Sequence, residues 1–257
     1  MDLFQTIIFG VVEGITEFLP VSSTGHLILT AKILGLRQTD FLKSFEISIQ
    51  LGAIVPVIFL YWRSLLIDRK TLSKVFVAFL PTAGLGLIFY KIIKQYLLNS
   101  EKIVLISLLT GGVLLILFEL LHREKTDAVK DLSGISFKQA FLIGVCQSLA
   151  MVPGVSRSLA TILGGLSLGL QRRTIVQFSF LLAIPTILSA TALDLMKSST
   201  SFSHDQLYSL AAGFMVSCIV AFFSVKFLLS YIQKHNFILF GVYRVLAAGA
   251  FWFLLIR

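Results

Sequence analysis

Glu13 and Glu17 stand four residues apart and are followed, across a proline, by Ser22, Ser23, Thr24 and His26, in the stretch EGITEFLPVSSTGH. Carboxylates at i and i+4 project from one face of a helix. Like charges at that spacing repel, more strongly where the dielectric is low; a shared proton, a nearby arginine or a divalent cation relieves them. Ser22, Ser23 and Thr24 fall where a new helix would start. One hydroxyl, Ser22 by preference, serves as its N-cap. The helix start also offers free N–H groups and a positive dipole end to an anion. His26 lies three residues after Ser23, within reach to give or take its proton. A serine, a histidine and two carboxylates beside an anion site are the parts of a catalytic centre.

A second polar stretch, PGVSRSLAT from Pro153 to Thr161, supplies a cation. Pro153 and Gly154 break a helix, and Ser156 or Ser158 can cap the next one. The planar fork of Arg157 fits phosphate oxygens with two hydrogen bonds. An ion pair with Glu17 would also satisfy it, and the two arrangements can alternate as substrate displaces or bridges the pair. Glu46 and Gln50, four apart, either complete the wall of the site or make simple helix contacts. Arg244 is expected to snorkel to the membrane interface or to pair with a buried acid. Cys146 and Cys218 lie in apolar runs without a CxxC pattern, which favours packing over a disulfide or zinc site.

These groups belong to a strongly apolar chain. Of its 257 residues, 56% are hydrophobic and 14% charged, against about 25% charged in soluble domains, and the mean hydropathy is +0.91. Apolar runs of about 17–25 residues recur, long enough to cross a bilayer as helices. The expected fold is an all-α integral membrane protein. The net charge of +9 sits largely in short loops between apolar segments, the pattern of cytoplasmic loops, and this argues against a nucleic-acid partner. The N-terminus lacks a basic region followed by a cleavage site, so no removable signal peptide is expected.

Six segments read as full spans: 45–61, 72–90, 103–121, 175–196, 206–230 and 237–256. Regions 3–36 and 137–170 are instead pairs of short apolar stretches broken by Pro, Gly and Ser, which reads as two re-entrant helical hairpins. A shift of 134 residues aligns 10–36 with 144–170 without a gap, and nine of the 27 positions are identical. Glu13 then faces Gln147, and Thr24 faces Ser158. Each half, 1–121 and 137–257, holds one hairpin and three spans. An odd number of spans makes the second half enter from the opposite side, giving an inverted-topology repeat whose half-helix ends meet near the midplane. Loops 62–74 and 122–138, Arg172 with Arg173, and Lys226 with Lys234 put four basic clusters on one side, expected to be cytoplasmic. The loop 91–102, with Lys91, Lys94 and Lys102, disagrees.

Two opposed helix starts, an arginine, hydroxyls, a histidine and paired carboxylates describe a site for a phosphate, and the lipid surroundings assign that phosphate to a lipid. The residues leave open which lipid it is, and whether it is hydrolysed or moved by a flippase-type transporter, since broken helices in inverted repeats are also a transporter architecture.

The ExxxE element with PVSSTGH, the PGxSRSxxT element, FEISIQLGAI (Phe45 to Ile54) and the Tyr243–Arg244 pair resemble the undecaprenyl-diphosphate phosphatases of the bacitracin-resistance type, over essentially the whole chain. The resemblance implies a hydrolase of the bacterial inner membrane that releases phosphate from undecaprenyl diphosphate and regenerates the carrier lipid of cell-wall synthesis. It also implies a site open to the outer, periplasmic face, a divalent cation, and frequent homodimers. The family's functional residues fall on Glu13, Glu17, Ser23, His26, Ser156, Arg157 and Thr161. Ser22, Thr24, Gln50 and Ser158 complete the expected substrate contacts, and Glu13 with Glu17 would hold Mg²⁺ or Ca²⁺. Two mechanisms remain: attack by Ser23, with His26 or Glu17 taking its proton, or attack by a water that Glu17 activates.

Overall fold

The computed structural model describes every residue except 38, 93–96, 98–99, 125–126, 198–202 and 256–257. Among the described residues the chain is helical, without a β-strand. Helices α1 (Leu3–Thr16) and α2 (Ser23–Ile33) form a first hairpin, and α7 (Phe137–Ser148) and α8 (Arg157–Ser167) a second. The long helices are α3 (Asp40–Leu60), α5 (Arg69–Ile92), α6 (Glu101–Leu121), α9 (Arg172–Lys197) and α10 (His204–Tyr231). A short α4 (Trp62–Leu66) and a last α11 (Ile238–Leu255) complete the chain. Of the basic residues that bear on sidedness, Lys94 and Lys125 lie outside the described residues.

The two hairpins are built by the same local devices. Asp2 and Gln5 form a capping box at the start of α1, and Ser136 and Gln139 form another at the start of α7. Each box satisfies backbone N–H groups that the first helical turn leaves without partners. Gly35 and Gly169, at φ 64° and 83°, turn the chain after α2 and α8, where a side chain would be strained. All of these pairs are separated by 134 residues, so the correspondence extends outside the stretch in which residues are identical.

Among the described residues, five helices are long and apolar enough to cross a membrane: Asp40–Leu60, Arg69–Phe89, Glu101–Leu121, Arg172–Leu193 and His204–Tyr231. The sixth expected span, 237–256, is a shorter helix, and its start is fixed by side chains. Phe237 donates its N–H to the buried Glu119 carboxylate at 3.3 Å, and Ile238 donates to Asn236 Oδ1 at 3.2 Å. The other oxygen of Glu119 takes Arg172 at 2.6 Å, so one carboxylate at the end of α6 joins the starts of α9 and α11.

Packing pairs α1 and α3 with α10, α7 and α9 with α5, α3 with α9, and α6 with α11. Small residues set these approaches, as they do between helices in lipid. A Cβ at Gly144 would lie 2.0 Å from the Ala78 carbonyl oxygen, one at Gly52 2.4 Å from that of Phe214, and one at Gly10 2.9 Å from that of Gly213. Phe18, at the tip of the first hairpin, packs edge-on against Phe180 of α9 with centroids 5.1 Å apart. The tip of the first hairpin is therefore held in the apolar core.

Gly144→Ala should force α5 and α7 apart at a cost of about 1–3 kcal/mol, read as a lower thermal midpoint in detergent. Gly249→Ala is the control, because its Cβ would meet nothing within 4 Å. Equal midpoints for the two variants would count against close packing at Gly144.

Candidate active site

The two breaks meet at the centre of the protein: a Cβ on Gly25 would stand 3.6 Å from the Cα of Gly154. Ser22 and Ser156 are the non-glycine residues with positive φ, 74° and 81°, among those described. Such a backbone costs on the order of 1–3 kcal/mol and persists only where its surroundings enforce it. Here each serine is the N-cap of the helix it starts. The Ser22 hydroxyl accepts from Gly25 N at 3.4 Å and the Ser156 hydroxyl from Leu159 N at 3.2 Å. Capping leaves the first N–H groups of both helices, at Ser23 and Thr24 and at Arg157 and Ser158, as open ends for an anion.

Arg244 holds this junction. Its side chain is fully buried and donates to five carbonyl oxygens: Leu108 through Nε, Pro20 and Val155 through Nη1, Ser107 and Gly154 through Nη2, all at 2.8–3.3 Å. Neither sequence expectation for Arg244 holds, since it does not snorkel to an interface and its partners are backbone carbonyls rather than an acid. Gly111 and Gly112 make the room. A Cβ on Gly111 would lie 2.2 Å from Arg244 Nη2, and one on Gly112 2.9 Å from Arg244 Cβ.

Glu17 joins the two hairpins chemically. Its Oε2 accepts the Ser23 hydroxyl at 2.5 Å, and its Oε1 accepts Arg157 Nη2 at 3.0 Å. The other guanidinium end of Arg157 donates to the Ser179 carbonyl at 2.7 Å and to its hydroxyl at 3.3 Å, which anchors the fork on α9. The ion pair expected as one of two arrangements is present, and the proton partner of Ser23 is Glu17. His26 is engaged elsewhere: Nδ1 with the Ser22 carbonyl at 2.8 Å and Nε2 with the Tyr243 hydroxyl at 2.8 Å, the two rings stacked. A carbonyl only accepts, so Nδ1 carries hydrogen, and the neutral ring accepts from Tyr243 at Nε2.

A cavity of about 260 Å³ opens against these groups. Glu17, Ser22, Ser23, Thr24, Gln50, Ser156 and Arg157 line it. Glu13, His26, Ser158 and Thr161 do not. Ser158 donates to the Phe18 carbonyl at 2.9 Å, and Thr161 to the carbonyl of Arg157 at 2.8 Å and to Gln147 Oε1 at 3.4 Å, so both brace the hairpins instead of facing the cavity. Glu13 is fully buried, beside Glu17 and with Glu46 and Arg157 the next charges, and its oxygens meet no fixed donor. Two carboxyls so placed share a proton or a cation.

The cavity also has a wall that sequence reasoning missed. Gln147 Nε2 donates to Thr82 Oγ1 at 3.0 Å and to Thr186 Oγ1 at 3.2 Å. Each threonine directly follows a proline inside a long helix, Pro81 in α5 and Pro185 in α9. That repeated Pro-Thr pair in mid-span is the signal that would have found them, because a mid-span proline removes a ladder hydrogen bond and is tolerated where polar groups answer it.

The chain matches the family described as bacitracin resistance protein BacA over residues 6–250. It is 49% identical over 246 residues to an undecaprenyl-diphosphatase of Sulfurihydrogenibium sp. (strain YO3AOP1), covering 96% of each chain. It is 48% identical over 246 residues to one of Aquifex aeolicus, again covering 96% of each. To one of Wolinella succinogenes it is 47% identical over 255 residues, covering 99% of each.

Arg244→Met should strip five buried carbonyls of their donor and cost more than about 3 kcal/mol, seen as a large drop in thermal midpoint. Gly111→Ala should lower it as well, through the clash with the guanidinium. A midpoint unchanged in both would show that the junction does not depend on Arg244.

Proposed function

The chain belongs to the bacitracin resistance protein BacA family, and on that premise we propose that it hydrolyses undecaprenyl diphosphate to undecaprenyl phosphate and inorganic phosphate. The observation that carries the chemistry is the Glu17 carboxylate, bonded on one oxygen to a serine hydroxyl at 2.5 Å and on the other to an arginine at 3.0 Å. Nucleophile, base and phosphate clamp thus share one carboxylate. Transport would need only the anion-binding half of that arrangement, so the pairing favours hydrolysis over a flippase.

The proposed sequence follows from these contacts. A phosphate entering the cavity draws the fork of Arg157 from Glu17 Oε1, and the open ends of α2 and α8 take its other oxygens. Ser23 Oγ attacks the terminal phosphorus while Glu17 takes its proton, and the bond to the bridging oxygen breaks, releasing the prenyl phosphate. Arg157 and the two helix ends balance the charge that builds on the transferred phosphoryl group. The departing prenyl phosphate carries off the proton that Glu17 took. Water then attacks the phosphoryl-serine with Glu17 again as base, and the P–O bond to Ser23 breaks as the serine oxygen takes that proton and inorganic phosphate leaves. His26 and Tyr243 act from behind as positioning residues, holding the carbonyl of the strained Ser22. The short Ser23–Glu17 bond supports this route over a water activated by Glu17 with Ser23 only binding.

A divalent cation, Mg²⁺ or Ca²⁺, suits the hard oxygens of Glu13, which meet no fixed donor. No group of three acidic, histidine or cysteine side chains gathers among the described residues. Glu13 with Glu17 would be the residues to hold such an ion. Such an ion supplies positive charge beside the diphosphate.

We read the chain further as two repeats, 1–121 and 137–257, inserted in opposite senses in the bacterial inner membrane, with the cavity facing the periplasm. Support comes from the positive-φ caps Ser22 and Ser156, the paired capping boxes, and helix pairings that map onto themselves when the two halves are exchanged: α1 with α10 becomes α7 with α5, and α3 with α10 becomes α9 with α5. A homodimer belongs to the same proposal.

The test is phosphate release from undecaprenyl diphosphate by detergent-purified protein. Ser23→Ala and Arg157→Lys should each lose at least about 100-fold in kcat, and a chelator should silence the wild type until Mg²⁺ or Ca²⁺ is restored. A mild loss in Ser23→Ala would rule out the serine nucleophile, and full activity in chelator would remove the cation.

A further inference from the structure

The cavity is lined unevenly, and α9 serves as a ruler along it. Ser179, fully buried, holds Arg157; Thr186 takes the amide of Gln147; Ile187 is 6% exposed; and Ala190 is open to the surroundings. At about 1.5 Å per residue, Thr186 lies about 10 Å along the helix from Ser179, and Ala190 about 6 Å farther. The lining changes over the same distance. The charged groups Glu17 and Arg157 come first, with Ser23. The neutral groups Thr82 and Gln147 join the lining at Thr186, Ile187 and Ala190 follow along α9, and the apolar Ala150 and Met151 also line the cavity. Ala190 is exposed and Ala150, at the tip of the second hairpin, is half-buried, so the apolar end is the mouth.

We propose that this gradient orients a prenyl diphosphate: Thr82 donates its hydroxyl to the lipid-side phosphate in a neutral wall that Gln147 and Thr186 complete, and Met151 and Ile187 hold the first isoprene unit as the tail leaves past Ala150 and Ala190 into the bilayer. The proposal rests on the hydrolase reading and adds to it a direction and a second subsite. The chemistry of the substrate fits the order. The terminal phosphate carries the larger charge and meets the arginine and two helix ends. The inner phosphate, an ester on the lipid side and an anhydride toward the terminal phosphate, carries a single negative charge, which a neutral lining satisfies without a buried counter-ion. The hydroxyl of Thr82 is held only loosely, by the Gly144 carbonyl at 3.3 Å and the Ser148 hydroxyl at 3.4 Å. Its hydrogen can therefore turn to a phosphate oxygen at small cost. The 134-residue correspondence makes the same distinction, since it matches Glu17, which serves the head, with Met151, which faces the tail.

Two measurements test this. The first compares kcat/KM for undecaprenyl diphosphate and for isopentenyl diphosphate, whose chain ends before the mouth. Ala190→Trp should lower the ratio of long-chain to short-chain kcat/KM by about ten-fold or more. The double change Thr82→Val with Thr186→Val should raise KM for both substrates more than it lowers kcat. An unchanged ratio in Ala190→Trp, or a loss confined to kcat in the threonine variant, would overturn the assignment. The second uses a prenyl diphosphate with a photoreactive diazirine on its first isoprene unit. Labelling of 149–151 or 186–190 is expected, and labelling of α1 or α2 instead would overturn the direction. Photolabelling needs binding but no turnover, so a wild type that released no phosphate would defeat the hydrolase reading and leave the tail path to be decided by the label.

Discussion

A helix broken inside an apolar interior exposes carbonyl oxygens that apolar neighbours cannot satisfy, and this chain breaks two of them at one place. Arg244 meets that need with a single side chain, five donors to five carbonyls drawn from both breaks and from α6. A neutral donor set of that size would take two or three side chains and more space than Gly111 and Gly112 leave. An acid beside the guanidinium would neutralise it and take up donors that the carbonyls need. The buried charge is instead spread over carbonyl dipoles, which is how a guanidinium is held stably away from water. The breaks are thereby fixed relative to each other, and with them the starts of α2 and α8.

That fixed junction is what allows Ser22 and Ser156 to keep a strained backbone. Each is pinned from two sides: by its own hydroxyl on the helix it caps and by a neighbouring carbonyl on Arg244, Pro20 two residues before Ser22 and Val155 just before Ser156. His26 adds a third hold on Ser22. The strain matters because it reverses the chain tightly enough for Ser23 and Arg157, the residues after the caps, to reach the same carboxylate from opposite hairpins. A relaxed turn would carry them apart, and neither the serine nor the arginine would lie within a hydrogen bond of Glu17.

The sequence was most legible where polarity was scarce. Charged groups in an apolar chain have few partners to choose from, so a Glu17–Arg157 pair was one of two arrangements open from type alone, and Ser22, with either Ser156 or Ser158, could be named as caps from their place after a Pro-containing break. Legibility failed where the partner was backbone. The five oxygens around Arg244 carry no residue identity, and an arginine partway along a span looks like one that snorkels. It failed again over direction: Ser158 and Thr161 have the right chemistry for a phosphate but point from α8 to the Phe18 and Arg157 carbonyls, which depends on a rotation that the spacing does not fix. Thr82 and Thr186 were hidden by the hydropathy of their spans, and the side-chain holds of Glu119 and Asn236 on the first turn of α11 leave no trace in a hydropathic run.

The 134-residue correspondence carries a last consequence for how such a site is built. It matches Ser23 with Arg157, Glu13 with Gln147 and His26 with Ala160. Two like scaffolds meeting at one point present two like anion ends, and two identical ends would hold a phosphate without telling attack from support. Chemistry needs the equivalence broken, and it is broken at the first residue of each helix, where one hairpin offers a hydroxyl and the other a guanidinium. Glu17 reads both, with one oxygen for each. Its counterpart Met151 offers no second carboxylate to compete for the arginine, so the negative charge stays on the serine's side of the junction. The attacking group, its base and the clamp are in this way ordered along one line by two differences between corresponding turns, Ser23 against Arg157 and Glu17 against Met151.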